Sequence, residues 1–288
     1  MISCSPTTTP LSPGIVLSSK DCPTTPDEEN EMKKISFYKA LGSLIWLQVI
    51  TKLDLTFSVN MLAHFAHNPG IVHWNALKHV LTYIKGTKHY GITYKGGSSL
   101  ELIRYVDSDY AGCKDTRHLT EGNVFVVAGG PISWECKRQD TVALFTVKAE
   151  FMVFSRATTQ ALWISKYFDK VGLPVKRPII ICADNSGFIA NSTTDKNHQY
   201  TKYIDIRHHF IKEHTKSGDV IFQYTPTFDN IANVLTKPLP RDTLWKFVNC
   251  LGLTTRSTNV SVQGKYWSMD WHHLYFPHGV DLFHSFCI

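Results

Sequence analysis

The first regular pattern in the chain is a helical spacing of apolar residues that starts near residue 36. The stretches SFYKALGSLIWLQVI and LTFSVNMLAHFAHNPG are densely apolar, and the second ends at Asn-Pro-Gly, which stops a helix. A third stretch carries apolar residues at steps of three and four, the spacing of one helix face. They are Ile71, Trp74, Leu77, Leu81 and Ile84. The pattern predicts a helical unit over 35–87.

From about residue 88 the pattern changes to the alternation that is typical of strands. The segments ITY, ELIRYV, NVFVVA and PISWECK are joined by Gly-rich turns, and the last three predict an antiparallel meander. A long helix then ends at Gly172, and an apolar strand lies between Pro178 and Asp184. Helices and one more strand, VIFQYTP, complete the order. This order predicts an α/β (α+β mixed sheet) domain over 88–253, with helices on the faces of the sheet.

The two ends of the chain lack such patterns. Residues 1–34 are rich in Ser, Thr and Pro and then acidic, which predicts an extended or disordered lead-in. Residues 254–288 have no clear period, although their many aromatic residues argue against simple disorder. That tail stays unassigned.

Composition narrows the class of protein. The 288 residues include 43% hydrophobic and 19% charged residues, a globular balance, and the net charge of +6 permits nucleic-acid binding without requiring it. Seven scattered cysteines form no C-x-x-C pair, which suits free thiols in a reducing compartment. No signal peptide or membrane span stands out. We expect an intracellular protein of the cytoplasm or nucleus that is not secreted and does not contact a membrane.

Three acids are expected to converge at one edge of the predicted sheet. Asp107 and Asp184 each end a strand, and Glu150 lies in the first turns of the long helix. If the two strands are neighbours, these carboxylates surround one point and require a cation, and oxygen ligands suit Mg²⁺. Each acid also has an ordinary explanation. Asp107 and Asp109 suit a polar turn, Glu150 suits a first helical turn, and Asp184 suits a helix N-cap.

Several motifs resemble the end of a copia-type retrotransposon polyprotein, and they occur in that family's order over roughly 36–253. They include YVDSDYAGCKDTRHLTEG, GGPISWECKRQDTVALFTVKAEF, ICADNSGFIAN, TKYIDIRHHFIKE and IANVLTKPLP. The resemblance implies a ribonuclease H-like domain preceded by a small helical connection to the reverse transcriptase. It also implies cleavage of the RNA strand of RNA–DNA hybrids with Mg²⁺ or Mn²⁺, two ions in an intact site. Asp107, Glu150 and Asp184 fall on three catalytic, metal-binding acids of the family.

The chain departs from the family at the fourth acid. Asn233 stands where the family motif L-A-D-I-F-T-K-P-L has Asp. An amide oxygen can bind a hard cation, but it brings no charge and cannot act as a base. Asp229, which we place one helical turn earlier on the same face, could compensate in part. The paired-aspartate motif of the polymerase is absent, so we expect no polymerase active site in this chain.

Basic residues are the candidates for binding the hybrid. Lys137, Arg138, Lys202 and Arg207 could contact phosphates, although each could equally belong to a solvated face. Three functions stay open: an active nuclease, a nucleic-acid-binding module without catalysis, and a degenerate transposon remnant. The expected partners are an RNA–DNA hybrid and, where present, the remainder of a reverse transcriptase polyprotein.

Overall fold

A computed structural model describes residues 4–95, 100–109, 120–138, 146–185, 189, 202–255 and 267–268. Within these ranges, none of the helices has the length and apolar character that a membrane crossing needs. The predicted short helix in GFIANST, apart from Ile189, and most of the tail 254–288 lie outside the described residues.

A first helix, α1 (Pro26–Lys33), forms inside the lead-in that was expected to be extended or disordered, because Thr25 and Glu28 form a capping box at its start. The helical unit over 35–87 contains α2 (Phe37–Ile50), α3 (Thr56–Ala63) and α4 (Ile71–Thr87). α4 begins after Gly70, and the side chain of His73 accepts a hydrogen bond from the Gly70 amide at 2.9 Å, which satisfies a donor at the helix start. The three apolar stretches therefore form helices, as their spacing predicts.

A five-stranded mixed sheet forms the centre of the second half. Its strands are β2 (Glu101–Asp109), β3 (Thr120–Val127), β4 (Gly130–Arg138), β5 (Lys176–Ala183) and β6 (Val220–Tyr224). The order across the sheet is β4-β3-β2-β5-β6. β2, β3 and β4 pair antiparallel, which confirms the meander, whereas β5 and β6 run parallel to β2. The predicted mixed α/β class is confirmed.

The first predicted strand belongs to a different sheet. β1 (Tyr90–Tyr94) pairs antiparallel with β7 (Leu253–Thr255) and with β8 (Trp267–Ser268). Two residues from the start of the unassigned tail and two from its middle thus pair with the strand that follows the helical unit.

Apolar residues cover both faces of the five-stranded sheet. The helices α5 (Thr146–Lys170) and α6 (Lys202–Lys216) pack on one face, with Phe154, Ala157 and Ile211 in the core. The other face packs against the helical unit, the 3₁₀ helix Ile231–Leu235 and α7 (Arg241–Cys250). Successive residues of β3 point to opposite faces of the sheet. Phe125 and Val127 lie in the first core, with α5 and α6, and Val124 and Val126 lie in the second core, with the helical unit.

The second core crosses the predicted boundary between residues 87 and 88. It contains Leu77 and Val80 of α4 together with Leu235 and Phe247 from the far end of the chain. The helical unit and the sheet therefore share apolar packing, and the proposed division into domains stays a prediction.

The lead-in lies along the surface of α4 and α7. The Lys85 ammonium donates to the Cys4 carbonyl at 2.7 Å, and the Trp245 indole donates to the Thr8 carbonyl at 3.1 Å. Leu11 and Leu17 are buried in the second core. These contacts hold the segment before α1 against α4, α7 and the second core.

Candidate functional site

Two of the predicted acids stand side by side at one end of the sheet. β2 and β5 are neighbours and pair in parallel, with Tyr105 opposite Cys182. Asp107 and Asp184 each follow that pair by two residues, so both lie at the carboxyl ends of adjoining strands. The two strands are therefore neighbours, which is the condition under which Asp107 and Asp184 were expected to converge. Burial raises the pKa of the Tyr105 phenol, which lies two residues before Asp107, to about 12.

Asp107 is a buried carboxylate with donors from one segment. Its side chain is almost fully buried, and the hydroxyl of Thr236 donates to its Oδ2 atom. The Lys237 ammonium lies 3.8 Å from the same oxygen. A buried carboxylate needs such partners, because an unpaired charge away from water is costly.

Asp184 receives a similar contact from the other end of that segment. It is partly exposed, and the Thr227 hydroxyl donates to its Oδ2 atom at 2.9 Å. Residues 227–237 therefore reach both acids, with a threonine hydroxyl on each. We call this stretch the threonine segment.

The threonine segment is attached to β2 through Asn230. The Asn230 side-chain amide donates to the Val106 carbonyl at 2.7 Å, and its Oδ1 atom accepts from the Ala232 amide at 3.1 Å. The second bond caps the 3₁₀ helix Ile231–Leu235. One buried side chain thus joins the start of this helix to the strand that carries Asp107.

Gly122 lets the 3₁₀ helix approach the sheet. It lies opposite Asp107 in β3, where a Cβ atom would stand 2.7 Å from Cγ2 of Thr236 and 2.9 Å from Cβ of Leu235. Real Cβ atoms do not tolerate such distances. The absence of a side chain at position 122 therefore brings Thr236 within reach of Asp107.

Asn233 lies inside the threonine segment and is buried. Its side-chain Nδ2 atom donates to the Thr227 carbonyl. Its Oδ1 atom is buried and has no hydrogen-bond partner among the residues that the structure describes. The nitrogen must face Thr227, because a carbonyl oxygen can only accept.

Sequence relatives identify the family of this chain. A retrovirus-related Pol polyprotein from transposon TNT 1-94 of Nicotiana tabacum is 35% identical over 254 residues, which is 88% of this chain and 19% of that protein. The Pol polyprotein from transposon RE1 of Arabidopsis thaliana is 34% identical over 256 residues, 88% of this chain and 17% of that protein. The chain belongs to the copia-type retrotransposon Pol family. It spans less than a fifth of the length of these Pol relatives.

Two further comparisons add little to the Pol assignment. No family model matches the chain. A solved structure, LC11-RNase H1 isolated from compost, shares 14% identity and a TM-score of 0.34, covering 51% of this chain and 96% of that one. A likeness at this level carries no argument. The five-stranded mixed sheet supports the α/β class, and the ribonuclease H-like assignment of the Pol chain stays a prediction.

The remaining predicted acids of the Pol chain stand apart or lie outside the described residues. Glu150 is in the early part of α5, but its side chain is outside the described residues, and so is that of Asp109. Asp229 lies in a turn before the 3₁₀ helix, so its predicted place on the same helical face as Asn233 is wrong. Its exposed carboxylate pairs with Lys246 at 2.6 Å.

The predicted phosphate-binding residues divide into two groups. Lys137 and Arg138 end β4, at the end of the sheet where Asp107 lies, because β3 pairs Gly122 with Asp107 and Thr120 with Arg138. Arg207 is on α6, which packs on α5 and next to the opposite edge strand β6. Lys202 begins α6, and its side chain is outside the described residues.

Sequence reasoning missed the side chains that hold the two acids. Thr227 and Asn230 carry no signal that separates them from ordinary turn residues. Thr236 and Lys237 stand inside the motif IANVLTKPLP, so the motif could have indicated them. Their contacts with Asp107 depend on how the 3₁₀ helix packs against β2.

The side-chain oxygen atoms at this end of the sheet suit a divalent cation. Asp107, Asp184 and the Asn233 Oδ1 atom, which has no hydrogen-bond partner among the described residues, offer oxygen, the ligand type that Mg²⁺ and Mn²⁺ prefer. Within the described residues, no group of three or more His, Cys, Asp or Glu side chains forms a metal-binding cluster. A full set of ligands would therefore need Glu150 as well.

Proposed function

We propose that this chain is a ribonuclease H-type domain of a retrotransposon Pol polyprotein. It hydrolyses the RNA strand of RNA–DNA hybrids during reverse transcription, with a rate reduced by the missing fourth acid. The observation that carries the proposal is the position of Asp107 and Asp184 at the ends of adjoining strands, where the threonine segment contacts both carboxylates. Family membership supplies the context for that geometry.

Each residue has a defined part in the proposed reaction. Asp107, Glu150 and Asp184 would hold Mg²⁺ or Mn²⁺, and the threonine hydroxyls keep two of these carboxylates in place. Ions bound there would supply an activated water and stabilise charge on the phosphoryl group. Lys137 and Arg138 bind backbone phosphates at the same end of the sheet, which positions the hybrid without reading its sequence.

Asn233 sets the expected rate. The family's fourth acid would add a negative charge near the ions, and an amide adds none. Asp229 does not replace it in the described arrangement, since its carboxylate pairs with Lys246. We therefore expect slow cleavage rather than full activity.

The test uses the full chain, a labelled RNA–DNA hybrid, and Mg²⁺ or Mn²⁺. We expect slow cleavage of the RNA strand, lost by about 100-fold or more in Asp184→Asn, because transition-state charge is stabilised mainly at the acids' ions. Asp27→Asn, at an exposed position in α1, is the matched control and should cleave like the parent. A folded parent that cleaves nothing with either ion, or cleavage that survives Asp184→Asn, would contradict the proposal.

A second function is favoured by the engagement of Asn233 and Asp229. Because the Asn233 nitrogen binds the Thr227 carbonyl and the Asp229 carboxylate binds Lys246, the chain could keep the fold and bind hybrids without cutting them. Salt-sensitive hybrid binding without cleavage would support this binding module. A chain that does neither would be the degenerate remnant.

A further inference from the structure

Asn233 makes a contact that the acid of the family motif could not make. Its side-chain nitrogen donates to the Thr227 carbonyl inside a buried environment. An ionised carboxylate has no hydrogen to donate, so Asp at this position would face the carbonyl with a second acceptor. The substitution therefore changes the chemistry of the contact as well as the charge.

Thr227 passes this contact on to Asp184. Thr227 is exposed and lies in a turn, where a side chain would otherwise rotate freely. Its carbonyl is held by the Asn233 side chain and, at 3.3 Å, by the Asn230 amide. Its hydroxyl donates to Asp184 at 2.9 Å. A fixed carbonyl restricts the turn, and a restricted turn keeps the hydroxyl on the carboxylate.

We propose that Asn233 is a positioning residue for Asp184, acting through Thr227, rather than a ligand that has only lost its charge. The inference rests on the proposed function, because Asp184 matters as a metal ligand there. It deepens that function by giving Asn233 a role that depends on an N–H donor. The substitution Asn233→Asp then removes the hydrogen bond to the Thr227 carbonyl while it adds a negative charge.

The first measurement is Mn²⁺ affinity of the full-length protein by electron paramagnetic resonance. We expect Asn233→Ala and Thr227→Val each to weaken Mn²⁺ binding by about tenfold, and the double variant to weaken it no more than the larger single change. Effects that pass through one hydroxyl do not add. Fold-changes that multiply would overturn the inference, since they would mean that Asn233 binds the ion independently of Thr227.

The second measurement uses Asn233→Asp in the metal-free protein, unfolded with urea at pH 8 and pH 5. We expect the variant to have a lower unfolding midpoint than the parent at pH 8. The difference should shrink at pH 5, where a carboxyl facing the Thr227 carbonyl takes up a proton and regains a donor. A variant that matches the parent at pH 8 and binds Mn²⁺ more tightly would overturn the inference and restore the ligand role.

A third measurement separates this inference from the proposed function. If the parent binds no Mn²⁺ and cleaves no hybrid, the proposed function fails. The coupling between Asn233→Ala and Asp184→Asn can still be read from urea unfolding of the metal-free chain. We expect non-additive changes in the parent and additive changes in the Thr227→Val background. Additivity in both backgrounds overturns the positioning role by itself.

Discussion

At the scale of single residues, the site depends on hydroxyl groups placed beside carboxylates. Thr236 is fully buried, and its hydroxyl contacts both the Asp107 carboxylate and, at 3.3 Å, the Asn233 carbonyl. Asp107 is itself 3% exposed, so water cannot replace a lost donor easily. A buried acceptor that loses its partner costs more than the bond contributed.

We expect Thr236→Val to destabilise the protein by about 1–3 kcal/mol, because the change keeps the shape and removes the donor to Asp107. Thr236→Ser keeps the hydroxyl and should retain most of that stability. Urea unfolding of the three proteins at pH 7 measures the difference. Equal losses for Val and Ser would show that the methyl group, not the hydrogen bond, is what matters.

The sequence predicted the two acids but not what holds them. Asp107 and Asp184 could be placed because strand ends follow from the alternation of apolar residues. Thr227, Asn230 and Thr236 could not, because their contacts span more than 40 residues along the chain and depend on how the threonine segment packs. Side-chain hydroxyls have no periodic pattern of their own.

At the scale of elements, the site depends on how closely the 3₁₀ helix Ile231–Leu235 approaches β3. The space above Gly122 is filled by Thr236 and Leu235, and the Ala232 carbonyl would lie 3.1 Å from a Cβ atom there. Backbone and Cβ atoms cannot rotate away as a long side chain can. A single added methyl group must therefore move the helix or the strand.

Gly122→Ala should destabilise the protein by about 1–3 kcal/mol through overpacking, and it should also weaken hybrid cleavage by displacing Thr236. Gly42→Ala is the matched control, since no atom of the described residues outside its own stretch of α2 lies within 4 Å of its Cβ position. That control should be neutral or stabilising by about 0.5–1 kcal/mol. Denaturant unfolding compares the two. A neutral Gly122→Ala would show that the helix yields without cost.

Element types were easier to predict than element partners. Spacing alone gave the helices of the first unit and the meander β2–β4. It could not assign β1, whose alternation is compatible with either sheet, because pairing depends on which edge the chain reaches. The partners of β1 come from the tail, where no period predicts a strand.

At the scale of the whole molecule, two cationic side chains lie at the same end of the sheet as the acids. Lys137 and Arg138 end β4, two strands away from Asp107 on β2, which is about 10 Å at normal strand spacing. A nucleic-acid backbone that passes the acids would therefore also pass these cations. Lys170 lies at the opposite end, because α5 ends just before β5 begins.

Replacing Lys137 and Arg138 with Ala should lower the salt dependence of hybrid binding. We expect the slope of log affinity against log salt concentration to become less negative by about two, one for each lost phosphate contact. Lys170→Ala should leave the slope unchanged. Fluorescence anisotropy at several salt concentrations gives the slopes. If Lys170→Ala, which removes one cation instead of two, changed the slope by half as much, binding would follow net charge alone.

The shared core has a consequence for how the protein is made. It joins Leu11 and the helical unit to Phe247 and Leu253. A ribosome releases these parts in order, at about 5–20 residues per second, so the first helices wait on the order of ten to fifty seconds for their last partners. During synthesis the apolar faces of those helices stay open to chaperones. The shared core is therefore complete only after Leu253 has left the ribosome.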